Sequence, residues 1–179
     1  MVSIVIPTYD RPEKMICAVK SALQQSCQDI EIIVVDDNGR GSKAQNETEQ
    51  CVRTIDDPRI RYIVHDKNQG GCAARNTGIE NARGSYIAFL DDDDVWSKAF
   101  IETMIPLFTD DKIGAVYCDF YSYDGVYSIT KKNRTCFSGN VYRQILSGWC
   151  PASTSLFIVR KECFETVGGF DQDLQSFQD

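Results

Sequence analysis

Short runs rich in β-branched residues recur along the N-terminal half of this chain, and that rhythm constrains the fold more than any other feature. The runs are Ser3–Pro7, Glu31–Val35, Ile60–His65 and Tyr86–Leu90. They stand roughly 25–30 residues apart, the length of a strand plus a crossover helix. Ile4-Val5-Ile6 and Ile32-Ile33-Val34-Val35 are apolar on both faces. Such strands need helices on both sides of their sheet, the condition met in parallel sheets. The expected fold is therefore α/β: a Rossmann-like, mostly parallel sheet flanked by helices.

The intervening segments have helix signals. Pro12 suits a first turn, with Ile16, Val19 and Leu23 following at helical spacing. Ser42 followed by Gln45 reads as a capping box for a helix to about Thr54. Gly71 to Asn81 is expected as a third helix, packing through Ala74, Ile79 and Ala82. Ser97 is expected to cap a fourth, with Phe100, Ile101, Met104, Ile105 and Phe108 inward. Beyond Phe108 the parallel rhythm stops. Ala115–Tyr121 and Val126–Thr130 read as strands joined at Asp124-Gly125, a hairpin signal. Ser153–Val159 reads as another strand, then a helix Lys161–Val167 stopped by Gly168-Gly169. The C-terminal half is thus expected to be mixed.

Several function classes are excluded early. The net charge of −7 argues against nucleic-acid binding through phosphate contacts. No apolar run approaches the roughly 20 residues that span a bilayer. Met1 to Pro7 lacks a basic segment and a cleavage site, so no signal peptide is expected and the location read is cytoplasmic. The eight cysteines form no C-x-x-C pair and are read as reduced, semi-buried thiols. With 179 residues the chain suits one domain with a substantial core.

In an open parallel α/β sheet, ligands bind beyond the carboxyl ends of the strands. Three polar clusters stand at those ends: Pro7-Thr8-Tyr9-Asp10-Arg11, Asp36-Asp37-Asn38 and Asp91-Asp92-Asp93-Asp94. Four successive carboxylates repel one another unless they are solvated or a cation neutralises them. Here Phe89-Leu90 and Val95-Trp96 flank the run, so it sits between buried elements. Hard carboxylate oxygens select Mg²⁺ or Mn²⁺, often shared with substrate phosphates. Asp36-Asp37 reads either as turn residues or as acceptors for a base N–H or a ribose hydroxyl. Tyr9 reads either as packing or as a base-stacking ring. His65 reads as structural or solvent-facing rather than catalytic, and Trp96 and Trp149 as packing or as a stacking face for a sugar. Other nucleotide readings fail. Gly39-Arg40-Gly41-Ser42-Lys43 lacks phosphate-loop spacing, no G-x-G-x-x-G follows the first strand, and a phospho-acceptor receiver would place its acidic pair after the first strand.

Five ordered motifs converge on one family. V-S-I-V-I-P-T-Y-D-R from Val2 to Arg11, I-I-V-V-D-D-N to Asn38, N-x-G-G-x-x-x-A-R-N from Asn68 to Asn76, G-x-Y-I-A-F-L-D-D-D-D from Gly84, and G-G-F-D from Gly168 to Asp171 resemble the family 2 glycosyltransferases. The resemblance spans essentially the whole chain and is least diagnostic from about 120 to 150. It implies a GT-A fold in a single domain over 1–179, with a nucleotide-sugar-binding half (1–96) and an acceptor-side half (97–179). It further implies a UDP-sugar donor, a divalent metal (Mg²⁺ or Mn²⁺) and inversion at the anomeric carbon. The acceptor would be a saccharide or lipid-linked glycan in cell-surface polysaccharide synthesis. Peripheral membrane association of the full-length protein is compatible with that.

Carried over residue by residue, the resemblance places Thr8 and Tyr9 in the base pocket and Asp37 on the base edge. Arg75 would reach the nucleotide, Asp91 and Asp92 would hold the ribose side, and Asp93 would ligate the metal. The general base would be Asp179, the last residue, and a longer gene product is expected on that account. Asp10 departs from the family's usual Asn. Two rivals remain: a sugar nucleotidyltransferase, which would want a Gly-rich basic loop after the first strand, and a donor-binding fragment without transferase activity.

Overall fold

The computed structural model describes residues 1–123, 129–132, 136–148 and 153–173. The N-terminal half alternates as expected: β1 (Val2–Thr8), α1 (Pro12–Leu23), β2 (Ile30–Asp36), α2 (Lys43–Arg53), β3 (Ile60–Val64), α3 (Gly71–Asn81) and β4 (Tyr86–Phe89). The C-terminal half contains α4 (Phe100–Met104), β5 (Ala115–Tyr117), β6 (Phe120–Tyr123), β7 (Ile129–Lys132), α5 (Tyr142–Leu146), β8 (Phe157–Arg160) and α6 (Lys161–Val167). The main sheet has the order β3-β2-β1-β4-β8-β5. Its β3-β2-β1-β4 portion is parallel, while β8 runs antiparallel to both β4 and β5. The expected α/β architecture with a mixed C-terminal half is what forms.

Period-2 alternation sends each central strand into two cores. Ile4 and Ile6, Ile32 and Val34, and Ala88 and Leu90 pack on one side with Met15, Ala18 and Val19 of α1 and Ile101 and Met104 of α4. Val5, Ile33, Val35, Ile87 and Phe89 pack on the other with Ala74 and Ile79 of α3. Gly78 lets α3 lie flush on the sheet, because a Cβ there would run into the Val5 side chain.

Helix starts are set partly by distant residues. Ser42 caps α2 as expected, its hydroxyl accepting from Gln45 N at 3.0 Å, and Gln45 Oε1 reaches back to Gly41 N at 3.1 Å. Ser97 does not cap α4. That helix starts after Ala99, and the buried Gln25 side chain accepts from Ile101 N at 3.1 Å while donating to the Ser97 carbonyl at 2.8 Å. A glutamine from the end of α1 thus does the capping, which local sequence does not reveal.

The expected strand Ala115–Tyr121 is two strands. β5 ends at Tyr117, opposite Phe157, and β6 begins a separate antiparallel pair with Phe120 opposite Lys132. That pairing is the expected hairpin; its Asp124-Gly125 turn lies outside the described residues. The expected strand Ser153–Val159 opens instead with a 3₁₀ turn, Thr154–Leu156, in which the Ser153 hydroxyl accepts from the Ser155 N–H at 3.2 Å. This turn leaves Ser155 beside the end of β4. Among the described residues, no helix is long and apolar enough to cross a membrane.

Candidate functional site

The parallel register brings the polar clusters to one sheet edge. Thr8 pairs with Asp36 across β1 and β2, and Val5 with Phe89 across β1 and β4. The chain then turns within the acidic run, Asp94 N donating to the Asp91 carbonyl at 3.0 Å. The four carboxylates fan into different surroundings as a result.

Asp92 points inward and is 1% exposed. The Thr8 hydroxyl donates to its Oδ2 at 2.8 Å. An Arg11 guanidinium nitrogen lies 2.9 Å from its Oδ1, an ion pair without the alignment of a hydrogen bond. Burial pushes the Asp92 carboxyl above the usual range, against the Thr8 hydroxyl and Arg11, and the neighbouring Asp93 charge adds to the rise. Asp93 points outward; its side chain is 42% exposed and its Oδ2 accepts from Arg11 Nη1 at 2.7 Å. Asp91 accepts from the buried Arg75 at 2.8 Å, and the Ser153 and Thr154 hydroxyls stand 3.4 Å from its oxygens. The Ser155 hydroxyl accepts the Asp91 N–H at 2.9 Å. Asp94 reaches solvent, yet close packing around its carboxyl raises its pKa; Ser155 opposes the rise, and the charges of Asp91 and Asp93 reinforce it.

Two arginines therefore grip the acidic turn. Arg11 follows β1 and spans Asp92 and Asp93. Arg75, on α3, holds Asp91 and lies over the Phe170 ring, 5.7 Å from its centroid. The sequence reading placed Arg11 in a strand-end cluster without a role; nothing local signals a pairing 82 positions away. The hydroxyls of Ser153, Thr154 and Ser155 around Asp91 carry no local signal for the same reason.

Asp10 explains its own departure from Asn. It is the one non-glycine among the described residues with positive φ, at 54°. Asn and Asp are the side chains that tolerate this conformation best. Its N–H donates to Asn38 Oδ1 at 2.7 Å, tying the β1 loop to the β2 loop.

Asp37 is buried and already occupied. Its Oδ1 meets His65 Nδ1 at 2.7 Å and accepts from Gln69 N at 2.8 Å, while its Oδ2 accepts from Gly70 N at 2.7 Å. His65 Nε2 in turn lies 2.8 Å from the Thr77 hydroxyl. Asp37 thereby anchors the loop entering α3, and His65 is buried between Asp37 and Thr77, the structural rather than the solvent-facing of its two expected places. A carboxylate has about four acceptor positions, so one is left on Asp37 for anything else. Asp36 is fully buried and takes hydrogen bonds from the Tyr62 hydroxyl and from Asn38 N. Tyr9, the residue that follows β1, is 52% exposed. Trp96 packs as a core residue, stacked on Phe100 at 4.2 Å with its Nε1 donating to the Ser155 carbonyl. Trp149, Cys150 and Asp179 lie outside the described residues.

Among the described residues, no three His, Cys, Asp or Glu side chains form a metal cage. The donor set suits a different kind of site. Mg²⁺ and Mn²⁺ are commonly held by one or two carboxylates and complete their shells with water and substrate phosphate. Asp93, exposed and oxygen-bearing, fits that role; Asp92, engaged inside, fits it less directly.

Comparison with known proteins follows the same lines. A family model described as "Glycosyl transferase family 2" matches residues 3–168. An uncharacterized glycosyltransferase of Rickettsia conorii is 36% identical over 157 residues, covering 84% of this chain and 24% of the relative. UDP-Glc:alpha-D-GlcNAc-diphosphoundecaprenol beta-1,3-glucosyltransferase WfaP of Escherichia coli is 35% identical over 121 residues, covering 68% of this chain and 46% of the relative. The chain thus spans less than half the length of either relative. Among solved structures, S. aureus TarS 1–349 in complex with UDP-GlcNAc superposes with a TM-score of 0.72 at 20% identity, over 99% of this chain and 50% of that one. The mannosyltransferase PcManGT from Pyrobaculum calidifontis, in complex with GDP-Man and Mn²⁺, superposes with a TM-score of 0.69 at 18% identity, over 97% of this chain and 48% of that one. Both share the fold.

Proposed function

The chain belongs to glycosyl transferase family 2, and from that premise we propose that it is the catalytic domain of an inverting, metal-dependent transferase. It moves a hexose-type sugar from a UDP donor to a saccharide or lipid-linked acceptor in cell-surface polysaccharide synthesis. The observation that carries this reading is the sheet edge at which Thr8 bonds to Asp92, Arg75 bonds to Asp91 and Asp93 stands exposed. The name of WfaP supports a UDP-linked sugar and a lipid-linked acceptor. The UDP-GlcNAc complex of TarS supports the same donor class, and the GDP-Man and Mn²⁺ complex of PcManGT supports a divalent metal.

Residues 1–96 form the nucleotide-sugar half in this proposal, and 97–179 the acceptor side. Tyr9 stacks on the base from its exposed position, and Thr8 shapes the pocket floor through its bond to Asp92. Asp37 meets the uracil imide N–H through the one acceptor position its three internal partners leave. Asp91 and Asp92 hold the ribose side, and Arg75 supplies positive charge toward the nucleotide. Asp93 holds Mg²⁺ or Mn²⁺, which when bound neutralises charge developing on the leaving diphosphate. Asp179 is the proposed base, drawing the proton from the acceptor hydroxyl as that oxygen attacks the anomeric carbon from the face opposite UDP.

Calorimetric titration of UDP with and without Mn²⁺, on the wild type and on Asp93→Asn, tests the reading. We expect Mn²⁺ to strengthen UDP binding in the wild type and to add nothing in the variant. Equal strengthening in both removes Asp93 as the ligand. No UDP binding in either removes the donor assignment itself.

A further inference from the structure

Arg11 occupies the place on Asp93 that an incoming cation would take. Its guanidinium spans two successive carboxylates of unlike character: Asp92, 1% exposed, and Asp93, 42% exposed. The arginine itself is 45% exposed and is held at its guanidinium by the two carboxylates. The backbone behind it is firmly set. Asp10 is locked in its left-handed conformation by Asn38, and the Arg11 carbonyl accepts the Met15 N–H at 3.0 Å in the first turn of α1. The side chain can therefore change partner without moving the main chain.

The two contacts differ in how readily they break. The ion pair with buried Asp92 persists, because that carboxylate would otherwise lose a cationic partner in a site shielded from water. The contact with exposed Asp93 is screened by solvent and contributes little, as half-exposed ion pairs generally do. A divalent cation on Asp93 also repels a guanidinium at that distance.

We propose that Arg11 is a placeholder cation and donor-positioning residue. It neutralises Asp93 while the site is empty. It cedes Asp93 when metal arrives, stays tethered at Asp92, and turns its released N–H groups to the donor's diphosphate. The guanidinium fork suits that second role, because its planar donors match phosphate oxygens. The inference rests on the donor reading above and adds an exchange of partners at its centre.

The exchange predicts effects of opposite sign, which a merely structural arginine would not produce. Mn²⁺ alone is titrated by electron paramagnetic resonance, and UDP is titrated at saturating Mn²⁺ by calorimetry. Arg11→Ala is expected to bind Mn²⁺ alone roughly two- to fivefold more tightly, since the competing ion pair is gone. It is expected to bind UDP at saturating Mn²⁺ about tenfold more weakly, the scale of one lost charge-assisted hydrogen bond. Arg11→Lys keeps the charge but not the fork, so its Mn²⁺ affinity should match the wild type while UDP binding falls. This second variant decides the matter if Arg11→Ala does not fold. Unchanged or weaker Mn²⁺ binding in Arg11→Ala overturns the placeholder role. Unchanged UDP binding in both variants overturns the phosphate role. Failure of the wild type to bind UDP at all defeats the donor reading instead, and the Mn²⁺ comparison still decides whether Arg11 competes for Asp93.

Discussion

The side-chain amide of Asn76 closes a two-bond ring with the main chain of Phe170. Nδ2 donates to the Phe170 carbonyl at 2.8 Å, and Phe170 N donates to Oδ1 at 2.7 Å. Two sequence motifs far apart in the chain are one structural unit at this point. Phe170 then packs edge-on against Phe89 of β4 at 5.3 Å and lies beneath Arg75. The 168–171 segment is thus fastened to the same helix and strand that present Arg75 and Asp91.

Asn76→Ala should therefore loosen that segment. Losing both bonds leaves partly buried backbone groups unpaired, at a cost of about 1–3 kcal/mol. Gly169→Ala should also destabilise, since a Cβ there would overlap Asn76 Oδ1. The double variant should cost less than the sum, because removing the Asn76 side chain removes the clash. Urea denaturation of the four proteins checks this; strict additivity would mean the two residues do not meet as described.

Asp37→Ala should show two separable effects. Gln69 N, Gly70 N and His65 lose their common acceptor, so stability should fall by on the order of 2–4 kcal/mol. Measured well below the variant's melting temperature, UDP should also lose its advantage over CDP, because cytosine lacks the imide N–H. A stability loss with undiminished discrimination would leave Asp37 as an anchor only and move base reading elsewhere.

Asp36 should impose a pH slope of predictable sign. Burial raises its pKa above 3.8, against hydrogen bonds from Tyr62 and Asn38, with Asp37 reinforcing the rise. Between 3.8 and the raised value the folded state holds more protons than the unfolded state. Stability from this group therefore falls as pH rises through that window. Asp36→Asn lacks the slope, so its stability relative to the wild type should climb from pH 3.8 upward and then level off. A flat difference across that range would contradict the assignment.

Ligand binding should be visible as stability. A ligand that binds only the folded state adds RT ln(1 + [L]/Kd), about 2.7 kcal/mol at a hundredfold excess over Kd. UDP with Mn²⁺ should raise the melting temperature, EDTA should remove the part due to metal, and Asp93→Asn should show only the UDP part. No shift at millimolar ligand would count against a formed donor site.

The sequence by itself determined the layered fold and the edge on which the polar clusters meet. Doubly apolar runs such as Ile32 to Val35, repeated at the spacing of a strand plus a crossover helix, suit a parallel sheet covered on both faces, and the parallel register then sets which ends share an edge. It also determined the motifs that mark the family, because those side chains are local in the chain. Partner choice was decided only by tertiary structure. Gln25 rather than Ser97 caps α4, and Ser155 stands against Asp91 because β8 inserts antiparallel beside β4. Asp37 uses three of its acceptor positions inside the protein, and Arg11 pairs with the exposed Asp93. The physical reason is common to all four. A hydrogen bond or ion pair depends on distance and direction in space, and residues separated by dozens of positions acquire those only when the sheet order has been set.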